Sequence, residues 1–153
     1  MLSNTSQYAL RALAFIAAQG GDEAVPGRRI SEETAIPANY LAKILNELNN
    51  AGIVEASRGT GGGYRLAAPA RSIMLHRIVA VFERELVHPS CVLGYSGPCA
   101  DDNPCSAHSA WSEARTKFAA FLHLTSLAEI ANSHELNMTR TGNPCGAARR
   151  GGR

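Results

Sequence analysis

Three cysteines lie close together in a chain that has only four: Cys91, Cys99 and Cys105, with His108 three positions further on. Seven residues separate the first two and five the next two. Thiolate and imidazole are the ligands that hold zinc and iron–sulfur centres, and three sulfurs with one nitrogen complete a four-ligand set. The same thiols can instead run thiol–disulfide chemistry. A purely packed cysteine normally sits among apolar side chains, whereas these sit among Pro, Gly, Ser and Asp. Structural zinc sites usually open with cysteines about two to four residues apart, and the wider gaps here suit a bulkier cluster at least as well. The spacing therefore favours a metal or cluster over pure thiol chemistry and leaves zinc, iron–sulfur and thiol switch open. Cys145, far from the others, reads as a tail thiol.

A second constellation points to nucleic acid. Asn39, Tyr40 and Lys43 fall near the start of a helical stretch, and Arg58 and Arg65 flank the run Gly59-Thr60-Gly61-Gly62-Gly63. Asparagine can pair bidentately with adenine, lysine can donate to guanine or phosphate, and tyrosine can donate to phosphate. An arginine beside a mobile hairpin tip can enter a minor groove. Arg28 joins this set at the start of the preceding helix, and Gly61 and Gly62 are the tip residues that would approach DNA.

The elements that must position these groups follow from periodicity. Residues 4–19 read as a helix, capped by Asn4 with Gln7 reaching back and ended by Gly20-Gly21-Asp22. Residues 28–35 read as a second helix. Pro37 opens a third, whose stripe of Leu41, Ile44, Leu45 and Leu48 stops at Ala51-Gly52. Two short strands, 53–57 and 64–67, enclose the glycine-rich tip. Residues 75–85 form another amphipathic helix. Residues 87–104 break the pattern with three prolines, two glycines and two cysteines. A long helix then restarts at Asn103-Pro104, so that Cys105 and His108 share its first turns. Its seam of Trp111, Ala114, Phe118, Phe121 and Leu122 is too long for one small domain to cover and implies a second copy. Ser126 and Glu129 form a capping box for a last short helix, and the polar end reads as a disordered tail.

The expected fold is mainly α with a small β-hairpin wing: a winged helix-turn-helix over residues 1–70, a connecting helix over 71–86, a cysteine-rich loop over 87–104, a dimerisation helix with a short terminal helix over 105–135, and a tail over 136–153. Net charge over the 153 residues is only +2, and the first 70 carry six basic and six acidic groups. A DNA-binding argument must therefore rest on where charges sit, not on their sum. No apolar run approaches the roughly 20 residues of a membrane helix, and no secretory signal is evident, so a cytoplasmic protein is expected. Paired carboxylates, a nucleophile–base set and a phosphate loop are all missing, which argues against an enzyme.

Several motifs are shared with a known family. Gln7-Tyr8-Ala9-Leu10-Arg11-Ala12-Leu13, Tyr40-Leu41 and Arg58-Gly59-Thr60-Gly61-Gly62-Gly63-Tyr64-Arg65-Leu66 resemble the Rrf-two-type winged-helix regulators, over about residues 2 to 135. The triple cysteine resembles that of its cluster-binding branch. The resemblance implies a homodimer on a near-palindromic double-stranded operator, with an iron–sulfur cluster near the base of the long helix setting affinity. One type of member holds a 2Fe-2S cluster on three cysteines and a histidine, and Cys105-Ser106-Ala107-His108-Ser109-Ala110-Trp111 is similar to its signature. Another type holds a 4Fe-4S cluster and takes an aspartate from the first helix of its partner. The matching position here is Gln7, which favours the histidine-ligated type. Two features depart from the pattern: the first two cysteines are more widely spaced, and Pro37, Ala42 and Lys43 differ in the recognition helix. A zinc-stabilised or thiol-switch regulator or adaptor of the same fold is the alternative.

Overall fold

The computed structural model describes residues 2–59, 61–83, 93 and 104–131. Helix α1, Asn4–Ala18, is the platform. Its Ala9, Ala12, Leu13 and Ile16 are fully buried, and Gly20 and Gly21 end it at positive φ. The cap is Ser3 rather than Asn4: its side chain accepts from the Ser6 amide. Gln7 does not close a capping box but donates from Nε2 to the Leu2 carbonyl at 3.0 Å. Two cap-forming residues stand side by side in the sequence, and a long-range contact to Ser3, described below, accompanies the choice between them.

Helices α2, Gly27–Thr34, and α3, Ala38–Asn50, pack on α1. Between them Ala35 takes a left-handed conformation, φ +53°. Pro37 precedes α3 as its N-cap, and Leu41, Ile44, Leu45 and Leu48 face the core at 2% exposure or less. The hairpin follows: β1, Val54–Ser57, runs antiparallel to β2, Gly63–Leu66, in the register Val54 to Leu66 and Ser57 to Gly63. Sequence periodicity misses a third pairing. Val25, in the α1–α2 connection, exchanges two 2.9 Å backbone hydrogen bonds with Tyr64. Gly63 permits this approach, because a Cβ there would collide with the Val25 carbonyl.

Beyond the wing, α4 spans only Leu75–Val79, not 75–85. Its end tightens into i→i+3 bonds, Val81 N to Ile78 O and Phe82 N to Val79 O, just before Glu83 turns toward α1. Helix α5, His108–Leu124, is the long helix. It begins later than Asn103-Pro104. Cys105 to His108 closes a separate turn, with His108 N donating to Cys105 O at 3.0 Å, and α-helical bonding starts with Trp111 N to Ala107 O. Backbone bonds from Leu75 N to Thr125 O and from Leu127 N to Ile73 O tie the end of α5 to the start of α4. The His76 and His123 rings stack there at 4.0 Å. Burial first, then the neighbouring charges of His123 and Arg77, holds His76 below its ordinary pKa. In the last described helical turn, residues 127–131, Glu129 Oε2 accepts from both the amide and the hydroxyl of Ser126 at 2.7 Å. The expected loop over 87–104, apart from Leu93, Pro104, and the tail over 136–153 lie outside the described residues.

Candidate DNA-reading face and cysteine site

With its leucines turned inward, α3 presents Asn39, Tyr40, Lys43, Asn46 and Glu47 to solvent. Tyr40 is 56% exposed for so large a side chain. It is held from one side by Tyr8 of α1, edge-on with ring centroids 6.4 Å apart. The Arg11 guanidinium lies over the Tyr8 ring at 5.5 Å and donates from Nη1 to the Thr34 carbonyl at 3.2 Å. Thr34 ends α2, where unpaired carbonyls and the negative end of the helix dipole favour a cation. Tyr8 and Arg11 thus join α1 to the α2–α3 turn and to the outward face of α3. Sequence reasoning gave them no part in the DNA-reading site, although their i, i+3 spacing places them on one face of α1.

The structure divides the four candidate cations into two classes. Arg28 is paired with Glu32 at 2.7 Å, and Arg65 contacts Glu55 Oε2 through Nη2 at 2.6 Å and Nε at 3.0 Å. Lys43 and Arg58 make no ion pair among the described residues. The pairs are exposed and screened by solvent, so a phosphate can compete for the arginine. At the wing tip, Gly61 takes φ +82° in open space. Gly62 has a packing role: a Cβ would press against the Ser57 and Gly59 carbonyls, and its amide donates to Gly59 O at 2.9 Å.

At the other end of the molecule, Cys105 and His108 bracket the turn before α5, both half-buried. Cys105 lies ahead of the helix and does not share a helical face with His108, which corrects the expectation that both sit in its first turns. Cys91 and Cys99, and the tail thiol Cys145, lie outside the described residues. Among the described residues no three His, Cys, Asp or Glu side chains gather into a metal site; two of the four candidate ligands are not among them. What is described fits a cluster in chemistry: a thiol and an imidazole held three residues apart by one hydrogen-bonded turn at a helix start. Gln7 is turned to the Leu2 carbonyl. No helix among the described residues is long and apolar enough to cross a membrane.

Three helices, a glycine-tipped wing paired back to the α1–α2 connection, and a reading helix with cations toward solvent define a winged helix-turn-helix. The chain belongs to the Rrf2 family: the family model described as an iron-dependent transcriptional regulator matches residues 2–133. The HTH-type transcriptional regulator IscR of Vibrio campbellii is 30% identical over 135 residues, covering 88% of this chain and 79% of its own. Among solved structures, CymR, the global cysteine regulator of B. subtilis, superposes with a TM-score of 0.74 at 24% identity, over 87% of this chain and 97% of its own. T. potens IscR does so at 0.70 and 22%, over 94% and 93%. The chain is thus a DNA-binding transcriptional regulator and not an enzyme.

Proposed function

We propose that two copies of this chain bind a near-palindromic operator in the cytoplasm, and that an iron–sulfur cluster held by Cys91, Cys99, Cys105 and His108 sets their affinity. The observation that carries the reading is the Cys105–His108 turn at the foot of α5 in a chain whose curated relative at 30% identity is an IscR. A 2Fe-2S cluster is favoured over 4Fe-4S because the α1 position that would supply an acidic fourth ligand is Gln7, an amide. When bound, such a cluster supplies a one-electron couple whose presence or oxidation state can report redox, iron or nitric oxide status. The chain's part is to fix the ligands at the start of the helix that meets the second copy.

Support for the second copy comes from α5. Leu122 is its one buried residue, while Phe121 is 50% and Leu124 78% exposed. On DNA, Asn39, Tyr40 and Lys43 would read or grip the major groove, and Arg28, Arg58, Gly61, Gly62 and Arg65 would meet the backbone or the minor groove.

Anaerobic purification tests the cofactor. The expected result is a brown protein with visible absorption and near-stoichiometric iron and sulfide, lost in Cys99→Ala. A colourless protein containing zinc, or one carrying only reversible disulfides, overturns the cluster and leaves the DNA-reading face standing.

A further inference from the structure

Glu83 is the last described residue before the segment that carries Cys91 and Cys99. Its carboxylate meets the N-terminus of α1, 80 residues back along the chain. Oε1 accepts from Ser3 N at 2.7 Å, Ser3 Oγ at 2.6 Å and Ser6 Oγ at 2.5 Å. Ser6 is fully buried, at 0% exposure. Capping α1 does not require this contact, since Ser3 Oγ already accepts from the Ser6 amide at 3.2 Å. The carboxylate does supply a negative charge. Helix α1 has no acidic residue in its own first turn, so Glu83 places at its positive end the anion that the helix dipole favours. Burial alone would raise the Glu83 carboxyl, but the hydrogen bonds from Ser3 and Ser6 outweigh it and hold it below the ordinary carboxylate range.

From that anchor, α1 leads directly to the DNA-reading face. Its next turn carries Tyr8, packed edge-on against Tyr40 of α3, and Arg11, which covers Tyr8 and holds the end of α2. Along the same helix Ala9, Ala12 and Leu13 are wholly buried, so α1 is packed against the core through this stretch. Displacing Glu83 would take from the buried Ser6 hydroxyl its short carboxylate acceptor, leaving the longer 3.3 Å contact with Ser3 Oγ, and would remove the counter-charge from the first turn of α1.

We propose that Glu83 is a positioning residue that couples the state of the cysteine segment to the seating of α1, and through Tyr8 to Tyr40 on the recognition helix. The proposal rests on reading the cysteine segment as the sensor, but not on which group the thiols hold. The test uses the full chain and a DNA duplex enriched by the wild-type protein from a random-sequence pool. Affinity is measured for protein purified anaerobically and for the same protein after its thiols are stripped and alkylated with iodoacetamide. Wild type is expected to show about a tenfold difference between the two forms. In Glu83→Gln the two forms should agree within about twofold, and hydrogen exchange over residues 4–8 should be fast in both. Ile16→Val, a control in the core of α1, should lower the melting temperature and keep the wild-type ratio. Should Glu83→Gln fail to fold, Ser6→Ala keeps the charge and removes one donor, and its ratio should shrink about threefold. A wild-type ratio in either Glu83→Gln or Ser6→Ala overturns the coupling, as does a wild type indifferent to alkylation. Iron and sulfide analysis separates the two readings: a wild-type ratio without iron and sulfide removes the cluster and leaves the role of Glu83 intact.

Discussion

Helices α3 and α5 both carry an apolar stripe, but only α3 covers it. Leu41, Ile44, Leu45 and Leu48 of α3 are at most 2% exposed, buried against α1, α2 and the wing. In the 17 residues of α5 only Leu122 is buried, and Phe121 and Leu124 face solvent. The Nη1 of Arg115, midway along α5, is buried with no hydrogen-bond partner among the described residues. The difference separates two jobs. The position of the reading helix is fixed within one chain, by packing that does not depend on a partner. The apolar face of α5 is not covered in this way among the described residues.

The largest effect should come from breaking the covered stripe. Leu48→Ala removes a fully buried side chain and should cost about 2–5 kcal/mol in urea unfolding. A loss below 1 kcal/mol would mean that the core relaxes around the gap and α3 is not rigidly seated. Phe121→Asp sharpens the other half. It should leave folding cooperative while weakening self-association by about a hundredfold, read by sedimentation velocity over a concentration series. If wild type sediments as a monomer throughout, the contrast between the two helices fails and α5 must be covered by something other than a second copy.

The same contrast, paired against unpaired, recurs among the cations of the reading face. Among the described residues Lys43 and Arg58 have no carboxylate to release, whereas Arg28 and Arg65 do. Lys43→Ala should weaken DNA binding about tenfold and lower the salt slope by about one. Glu55→Gln should act in the opposite direction, tightening binding by about threefold as Arg65 is freed from its surface ion pair. Fluorescence anisotropy titrations between low and moderate salt distinguish these outcomes. If Glu55→Gln weakens binding, the pair orients Arg65 for DNA rather than competing with it.

The legible parts of the molecule share a physical cause. α3 and the hairpin follow from local signals: a period of 3.6 in the leucines, Pro37 before them, Gly52 after them, and glycines at the tip. What sequence reasoning missed depends on partners distant along the chain. Asn4 reads as a cap as readily as Ser3, and no local pattern shows that Ser3 also meets Glu83, 80 residues away. Val25 carries no strand pattern of its own, and its pairing with Tyr64 exists only because Gly63 lets the backbones meet. The sequence pattern extends α4 and α5 too far for a related reason. Asn103-Pro104 reads as a helix start, but the Cys105–His108 turn intervenes and α5 begins at His108. Of the candidate site, the outward face of α3 was legible as the complement of its apolar stripe. Tyr8 and Arg11, which hold that face from behind, were not, since nothing in a single helix shows what it packs against.

The smallest expected effect tests how far α3 is seated by its own chain. Ala35, in the turn before α3, takes φ +53°, where an L-residue is disfavoured by roughly 1–2 kcal/mol. Its side chain is exposed, so trimming it removes no buried surface. Ala35→Gly relieves the strain but gives the unfolded chain more freedom, worth about 0.4–1 kcal/mol. The balance should be a gain of roughly 0.5–1 kcal/mol, seen as a higher urea midpoint with an unchanged slope. DNA affinity should not move, because the bond from Arg11 to the Thr34 carbonyl and the leucine stripe still place α3. A variant that gains stability but loses affinity would show that the strained turn, and not the packing beneath it, sets the angle of the reading helix.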